Sequence, residues 1–325
     1  MAAVLAVGTS VYNPDMDGAT VERMNATLVR APLFREIESQ IVEIEPLGSL
    51  TNLSYKLTTS MGAYVLRLPG EDTFDYIDRR AEEHNGRVTA SVGVNAEVLH
   101  VDAEDGTMLS RFIEGMPMNE GGFERDPMAP ARAALVLRRV HRLGPVFRSR
   151  FDVFSMIRGY LEILYKLRMP PPEDYYEVER DAEAVRRVLQ ASPVGLAPCH
   201  NDPWPGNFVV DSGGRLRLID WEFSGMNDPM WDLGDLSVEA GFGAEQDRTM
   251  MEAYYGGYVP SALYARLELY KALSDLLWSL WGLIQYVNGN PSDDFLPYAQ
   301  GRLERCKVRI GSEDFGRHLT VVATR

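Results

Sequence analysis

The sequence is short of cysteine, short of positive charge and without a long apolar run, and each shortage narrows what the chain can be. Two cysteines, Cys199 and Cys306, build neither a disulfide framework nor a thiolate cluster, so a reducing, cytoplasmic setting is expected. Lysine and arginine number 33 against 47 aspartates and glutamates, a net charge of −14. That balance argues against a nucleic-acid partner, because phosphate backbones are gripped by clustered Lys and Arg. It suits a cationic small molecule, whose local concentration an acidic surface raises. The longest apolar stretch, residues 276–287, contains Ser279 and Gln285 and falls short of the roughly 20 residues a bilayer requires. It reads as a buried helix, and no membrane insertion is expected. The N-terminus lacks the basic start of a signal peptide. No segment repeats, and oligomeric state leaves no trace in the sequence.

What is present is a globular composition, 45% hydrophobic and 25% charged, over 325 residues, enough for two lobes with cores. Residues 1–27 show no clear period and contain Asn13-Pro14-Asp15 and Asp17-Gly18, so a loose leader is predicted; Met24 is an alternative start. Residues 41–44, 54–57 and 64–68 read as strands, separated by turns at 48–52 and 60–62. A polar helix over 75–91 stops at Gly93, and residues 96–101 and 107–112 form a hairpin around Asp105-Gly106. Beyond Gly115 apolar residues recur at three and four over 130–143, 153–167 and 178–191. Short strands at 208–210 and 216–219 flank a turn at 212–214, and helices run from Met230 to the end. The pattern predicts an α+β chain: an N-terminal lobe over 28–113 with a small antiparallel β-sheet, then a larger, mainly helical lobe over 114–325.

The densest chemistry lies in His200-Asn201-Asp202-Pro203-Trp204-Pro205-Gly206-Asn207, followed beyond the second strand pair by Asp220-Trp221-Glu222. With five histidines in the chain, His-x-Asp-x4-Asn arises by chance on the order of 1% of the time. Phosphoryl transfer needs a carboxylate to orient an attacking hydroxyl and accept its proton, and oxygen ligands for Mg²⁺ on the nucleotide phosphates. Asp202 fits the first role, Asn207 and Asp220 the second. His200 is either a second catalytic base or a brace for the metal-binding strand, and bracing is favoured.

This segment resembles the catalytic loop of the aminoglycoside phosphotransferase and choline kinase superfamily, and the run from Leu218 to Glu239 is similar to choline/ethanolamine kinases. The likeness extends from about residue 47 to 303. It implies a protein-kinase-like bilobal fold using ATP and Mg²⁺, with Asp202 as catalytic base, Asn207, Asp220 and Glu222 on the metal, and Asp232 holding the loop. It implies ATP contacts from Gly48, Thr51 and Asn52 in the turn between the first two strands, and from Arg67. Glu82 would pair with that arginine, with Glu83 as the alternative, and Arg111 and Ile113 would form the hinge beside adenine.

For the acceptor, Trp278 and Trp281 are three apart on one helical face, with Tyr298 and Phe223 elsewhere in the chain. A quaternary ammonium donates no hydrogen bonds and is held by aromatic faces and a carboxylate. By the resemblance, Trp278, Trp281, Tyr298, Phe223 and Glu239 form such a pocket, although two tryptophans on an apolar helix equally suit a core. Phe223 stands where the family often carries Tyr. Choline is the expected acceptor; ethanolamine or another amino alcohol is the nearest alternative, and an aminoglycoside a more distant one.

Overall fold

Alternation builds the sheet. In β2 (Leu53–Thr59) every second residue, Tyr55, Leu57 and Thr59, is buried, the period of a half-covered strand. It pairs antiparallel with β1 (Ile41–Leu47) on one side and β3 (Gly62–Leu68) on the other. The helix α1 (Arg79–Ser91) follows, its N-cap Asp78 accepting from the backbone N–H groups of Arg80 and Ala81. The hairpin of β4 (Val98–Val101) and β5 (Met108–Arg111) completes a five-stranded antiparallel sheet in the order β1-β2-β3-β5-β4. The computed structural model describes residues 20–24, 26, 41–48, 50–70, 77–144, 146–172 and 174–324, which divide into two compact units between Glu114 and Gly115.

The leader expectation needs correction where it can be compared. Residues 20–24 are helical, and Met24 is wholly buried among Ile41, Ile44, Leu57, Leu66 and Leu109 of the sheet. Arg23 donates to the carbonyl of Pro69 at 2.7 Å. No period is legible there because the segment is too short to display one. Residues 1–19 lie outside the described residues, as do Ser49 of the predicted nucleotide turn and residues 75–76 of the predicted helix; Ile77 and Asp78 precede α1, which starts later than expected because Asp78 caps it.

The second unit begins with β6 (Gly115–Pro117), a strand the sequence reading did not separate from the domain boundary. Then come α2 (Glu120–Arg125), α3 (Ala129–His141), α4 (Val153–Lys166) and α5 (Tyr175–Ala191). Two small sheets follow. One pairs β7 (Ala197–Cys199) with β10 (Gly225–Asn227); the other orders β6 beside β8 (Phe208–Asp211) and β9 (Leu216–Leu218). The chain ends in α6 (Pro229–Glu239), α7 (Ala244–Tyr255), α8 (Ser261–Val287), α9 (Phe295–Ile310) and α10 (Glu313–Ala323). Helix α8 is buried almost throughout, from Ala265 to Gln285, because α4, α6, α9 and α10 all pack on it. No helix among the described residues is long and apolar enough to cross a membrane.

Met24→Ala should lower the unfolding free energy by about 2–5 kcal/mol through the cavity left in the sheet core. Denaturant unfolding measures this, and an unchanged midpoint would show that the segment contributes nothing to stability.

Candidate active site

The loop between β7 and β8 carries His200, Asp202 and Asn207, and it is ordered from beneath. Asp232, on the first turns of α6, is completely buried. Its Oδ2 accepts the backbone N–H of His200 at 2.8 Å, and its Oδ1 that of Asn201 at 2.8 Å. His141 of α3 donates its Nε2–H to Oδ2 at 2.9 Å while its Nδ1 accepts the Tyr254 hydroxyl. Asn201 itself adopts a left-handed backbone, φ +69°, which Asn tolerates better than most residues. Its amide donates to the Phe223 carbonyl at 3.0 Å and accepts from Asn227, while its own carbonyl accepts the Trp231 indole N–H.

His200 corrects the catalytic alternative. Its Nε2–H donates to the Ile219 carbonyl at 2.8 Å, and its Nδ1 faces the N–H of Asp202 at 3.3 Å. Burial lowers its pKa, so the ring is neutral, and both nitrogens are spent on backbone. No nitrogen is left to take a substrate proton. His200 is a brace that ties the loop to the end of β9.

Asn207 ends the short 3-10 turn Pro205–Asn207. Its amide N–H donates to the Asp202 carbonyl at 3.0 Å, leaving the amide oxygen for other work. Its backbone carbonyl accepts the N–H of Ile219 at 2.9 Å, which brings Asn207 beside the corner where Asp220 sits at φ +63°. Asp202, half-buried, has its carboxyl held well above the usual range, by burial first and then by the negative charges of Asp235, Asp220, Glu239 and Glu222. An amide oxygen and clustered carboxylates are hard donors with excess negative charge. That donor set fits a divalent cation of the Mg²⁺ type.

In the first unit Arg67 of β3 pairs with Glu82 of α1, not with Glu83, which bonds Arg87. Glu82 is 1% exposed and also accepts from Arg79 at 2.9 Å, a second cation that sequence reasoning missed. Gly48 is open: a Cβ there would meet nothing within 4 Å, so the fold itself does not demand glycine. Thr51 and the buried Asn52 follow it, the Asn52 amide donating to the Thr51 hydroxyl at 3.4 Å. The two residues expected at the hinge, Arg111 and Ile113, differ in their backbone bonding. The N–H of Arg111 is committed to Glu97 and that of Phe112 to Ala63, whereas Ile113 has no such bond among the described residues. The Arg111 side chain lies over the Tyr64 ring and donates to its hydroxyl.

The aromatic residues assemble on α8 and α9. Trp278 meets Phe223 edge-on at 5.4 Å and Trp281 at 6.0 Å; Trp281 meets Phe295 at 5.4 Å and Tyr298 at 5.9 Å. A Cβ on Gly282 would come within 2.7 Å of the Tyr298 ring, so glycine is what admits that ring against α8. Glu239, at the end of α6, is not a free carboxylate: it pairs with Arg302, whose guanidinium also lies over Tyr298 at 5.0 Å and reaches Asp275 at 3.3 Å. Asp235, one turn before Glu239, was not singled out from the sequence. Its Oδ1 accepts the Trp278 indole N–H at 2.7 Å and the Ser274 hydroxyl at 2.6 Å. The spacing of Asp232, Asp235 and Glu239 along one helical face was the signal that could have found it.

Comparison with known proteins agrees with this geometry. A model described as the phosphotransferase enzyme family matches residues 43–270. A crystal structure of a choline/ethanolamine kinase family protein from Mesorhizobium loti is 44% identical and superposes with a TM-score of 0.81, covering 94% of this chain and 99% of that one. Choline kinase LicA from Streptococcus pneumoniae is 26% identical, with a TM-score of 0.76, and covers 90% of this chain and 98% of its own. A LicA complex with AMP, also 26% identical with a TM-score of 0.76, covers 90% of this chain and 97% of that one. The fold is thus the protein-kinase-like α+β fold of these enzymes.

Asp232→Asn would set an amide N–H against the buried donors beneath the loop. Each donor left unsatisfied costs about 1–3 kcal/mol, so urea unfolding should show a loss of that order or more. Wild-type stability in this variant would mean that the loop is ordered by something else.

Proposed function

The chain belongs to the phosphotransferase enzyme family, and within it to the choline/ethanolamine kinases, and from that premise we propose that it transfers the γ-phosphate of ATP to the hydroxyl of choline, giving phosphocholine. The observation that carries the choice of acceptor is the ring cluster of Trp278, Trp281, Tyr298 and Phe223 in the same unit as Asp202. Aromatic faces attract a quaternary ammonium without needing hydrogen bonds from it.

In this reading the Asp202 carboxylate aligns the choline hydroxyl and accepts its proton as the new oxygen–phosphorus bond forms and the bond to the ADP oxygen breaks. Its neighbouring acids favour that proton, since each raises the affinity of the carboxyl for it. Asn207 and Asp220, with Glu222, would hold Mg²⁺. When bound, that ion supplies positive charge against the phosphate oxygens. Arg67 serves the phosphates with its planar fork, and Glu82 keeps the fork oriented from α1. Gly48, Thr51 and Asn52 supply the close backbone turn for the same phosphates. Ile113, rather than Arg111, offers the backbone donor for adenine. His200 and Asp232 work through the loop and touch no substrate.

A coupled assay with ATP, Mg²⁺ and choline, ethanolamine, thiamine or kanamycin tests the proposal. Choline should turn over best, and Asp202→Ala should abolish turnover while the protein stays folded by circular dichroism. A preference for ethanolamine would move the assignment to the sister activity, and turnover of kanamycin alone would end it. Trp281→Ala should raise the KM for choline by about tenfold or more with little change in the KM for ATP. Equal weakening of both substrates would count against the aromatic pocket.

A further inference from the structure

We propose that Asp235, not Glu239, supplies the charge partner for the cationic head of the substrate. The inference rests on the amino-alcohol reading above and deepens it. It starts from the accounting of buried charge around the aromatic cluster. Glu239 is paired with Arg302, and Asp275 is shared by Arg302 and Arg305, so two acids meet two guanidinium groups. Asp235 has no such partner. It is completely buried, and its ion-pair partners among the described residues are none: both groups that bond it, the Ser274 hydroxyl and the Trp278 indole, are neutral and both sit on Oδ1. Its Oδ2 is buried with no hydrogen-bond partner.

A buried carboxylate with one oxygen unpaired is costly unless a cation or a proton compensates it. The place is significant. The bond from Trp278 fixes that ring directly against Asp235, so a cation packed on the Trp278 and Phe223 faces is also close to the unpaired carboxylate. An ammonium with no hydrogen to donate gains from this pairing of π-faces with a nearby negative charge. Asp235 also acts on the proposed reactive end: among the charges that hold the Asp202 carboxyl up, it is foremost. Arg302 thereby takes a definite role: its ion pairs go to Glu239 and Asp275, while Asp235 beside the rings makes none among the described residues.

The test uses the purified 325-residue chain and tetramethylammonium, a head group without the alcohol, whose binding is read by calorimetry and needs no catalysis. Asp235→Asn, which keeps the size and one acceptor oxygen, should weaken tetramethylammonium by about tenfold or more and leave ATP binding unchanged. In turnover it should reduce the preference for choline over the uncharged isostere 3,3-dimethylbutan-1-ol by a similar factor. Glu239→Gln should retain most of that preference. Unchanged tetramethylammonium binding in Asp235→Asn overturns the proposal, as would equal losses for charged and uncharged acceptors, or no tetramethylammonium binding by the wild-type protein. If Asp235→Asn fails to fold, the Glu239→Gln comparison decides: loss of the choline preference there overturns the assignment, and its retention supports it. If wild-type protein binds tetramethylammonium and loses it in Asp235→Asn, yet phosphorylates no amino alcohol, the kinase reading fails and the charge assignment stands.

Discussion

One buried carboxylate, that of Asp232, orders the surroundings of the reaction. It accepts from two consecutive backbone N–H groups and from the His141 imidazole, and no water reaches it to take their place. The loop therefore has one conformation in which its donors are satisfied. The consequences travel in both directions along the chain. Upstream of α6, His200 and Asn201 are fixed and carry Asp202 with them. Downstream, Asp228 caps α6 and accepts from Arg266 at 2.6 Å and Tyr270 at 2.8 Å, both on α8. The helix that bears Trp278 and Trp281 is thus joined to α6, which orders the Asp202 loop, by hydrogen bonds as well as by packing. That loop and the ring cluster form one frame.

That frame concentrates acids to an extent a fold would not choose for stability alone. Asp202, Asp220, Glu222, Asp235 and Glu239 act on one another within a partly dry region, and their mutual repulsion is visible in the raised carboxyl of Asp202. A site that must hold cations against a phosphoryl group is where such repulsion becomes useful, because bound positive charge relieves it. Arg302 shows how the repulsion is limited. Burial works against its guanidinium, but Glu239, Tyr298 and Asp275 hold its pKa above the ordinary value, so it stays charged in place.

The fold was legible where the chemistry is local. Alternation marked β2 and β3, the three-and-four spacing marked α3, α4 and α5, and the loop of Asp202 carried its own motif. What was hidden depends on partners far apart in sequence. Arg302 lies 63 positions from Glu239, and nothing in either segment announces the pair. Arg79 was equally invisible, since three-apart ion pairs on helices are usually solvated, and only the buried Glu82 makes this one matter. Bracing by His200 was the favoured expectation, but its backbone partner Ile219 is 19 residues away and could not be read from the motif. The helical turn at Met24 was missed because its apolar partners come from strands not yet begun.

Aromatic recognition and charge recognition need not be done by the same side chains, and their separation bears on which ammonium the pocket prefers. A primary ammonium keeps three N–H donors and demands acceptors in exchange for its hydration. Around Trp281 the chain offers rings and an indole N–H that itself has no partner, which is a donor and not an acceptor. A quaternary head makes no such demand, and its diffuse charge interacts with ring faces at small desolvation cost. In the proposed pocket the Asp235 carboxylate therefore adds attraction without fixing direction, and the rings set size and hydration. Gly282 belongs to the same arrangement: the absence of a side chain there lets Tyr298 close the ring cluster, so the proposed selectivity would depend on a residue that itself offers a cation nothing.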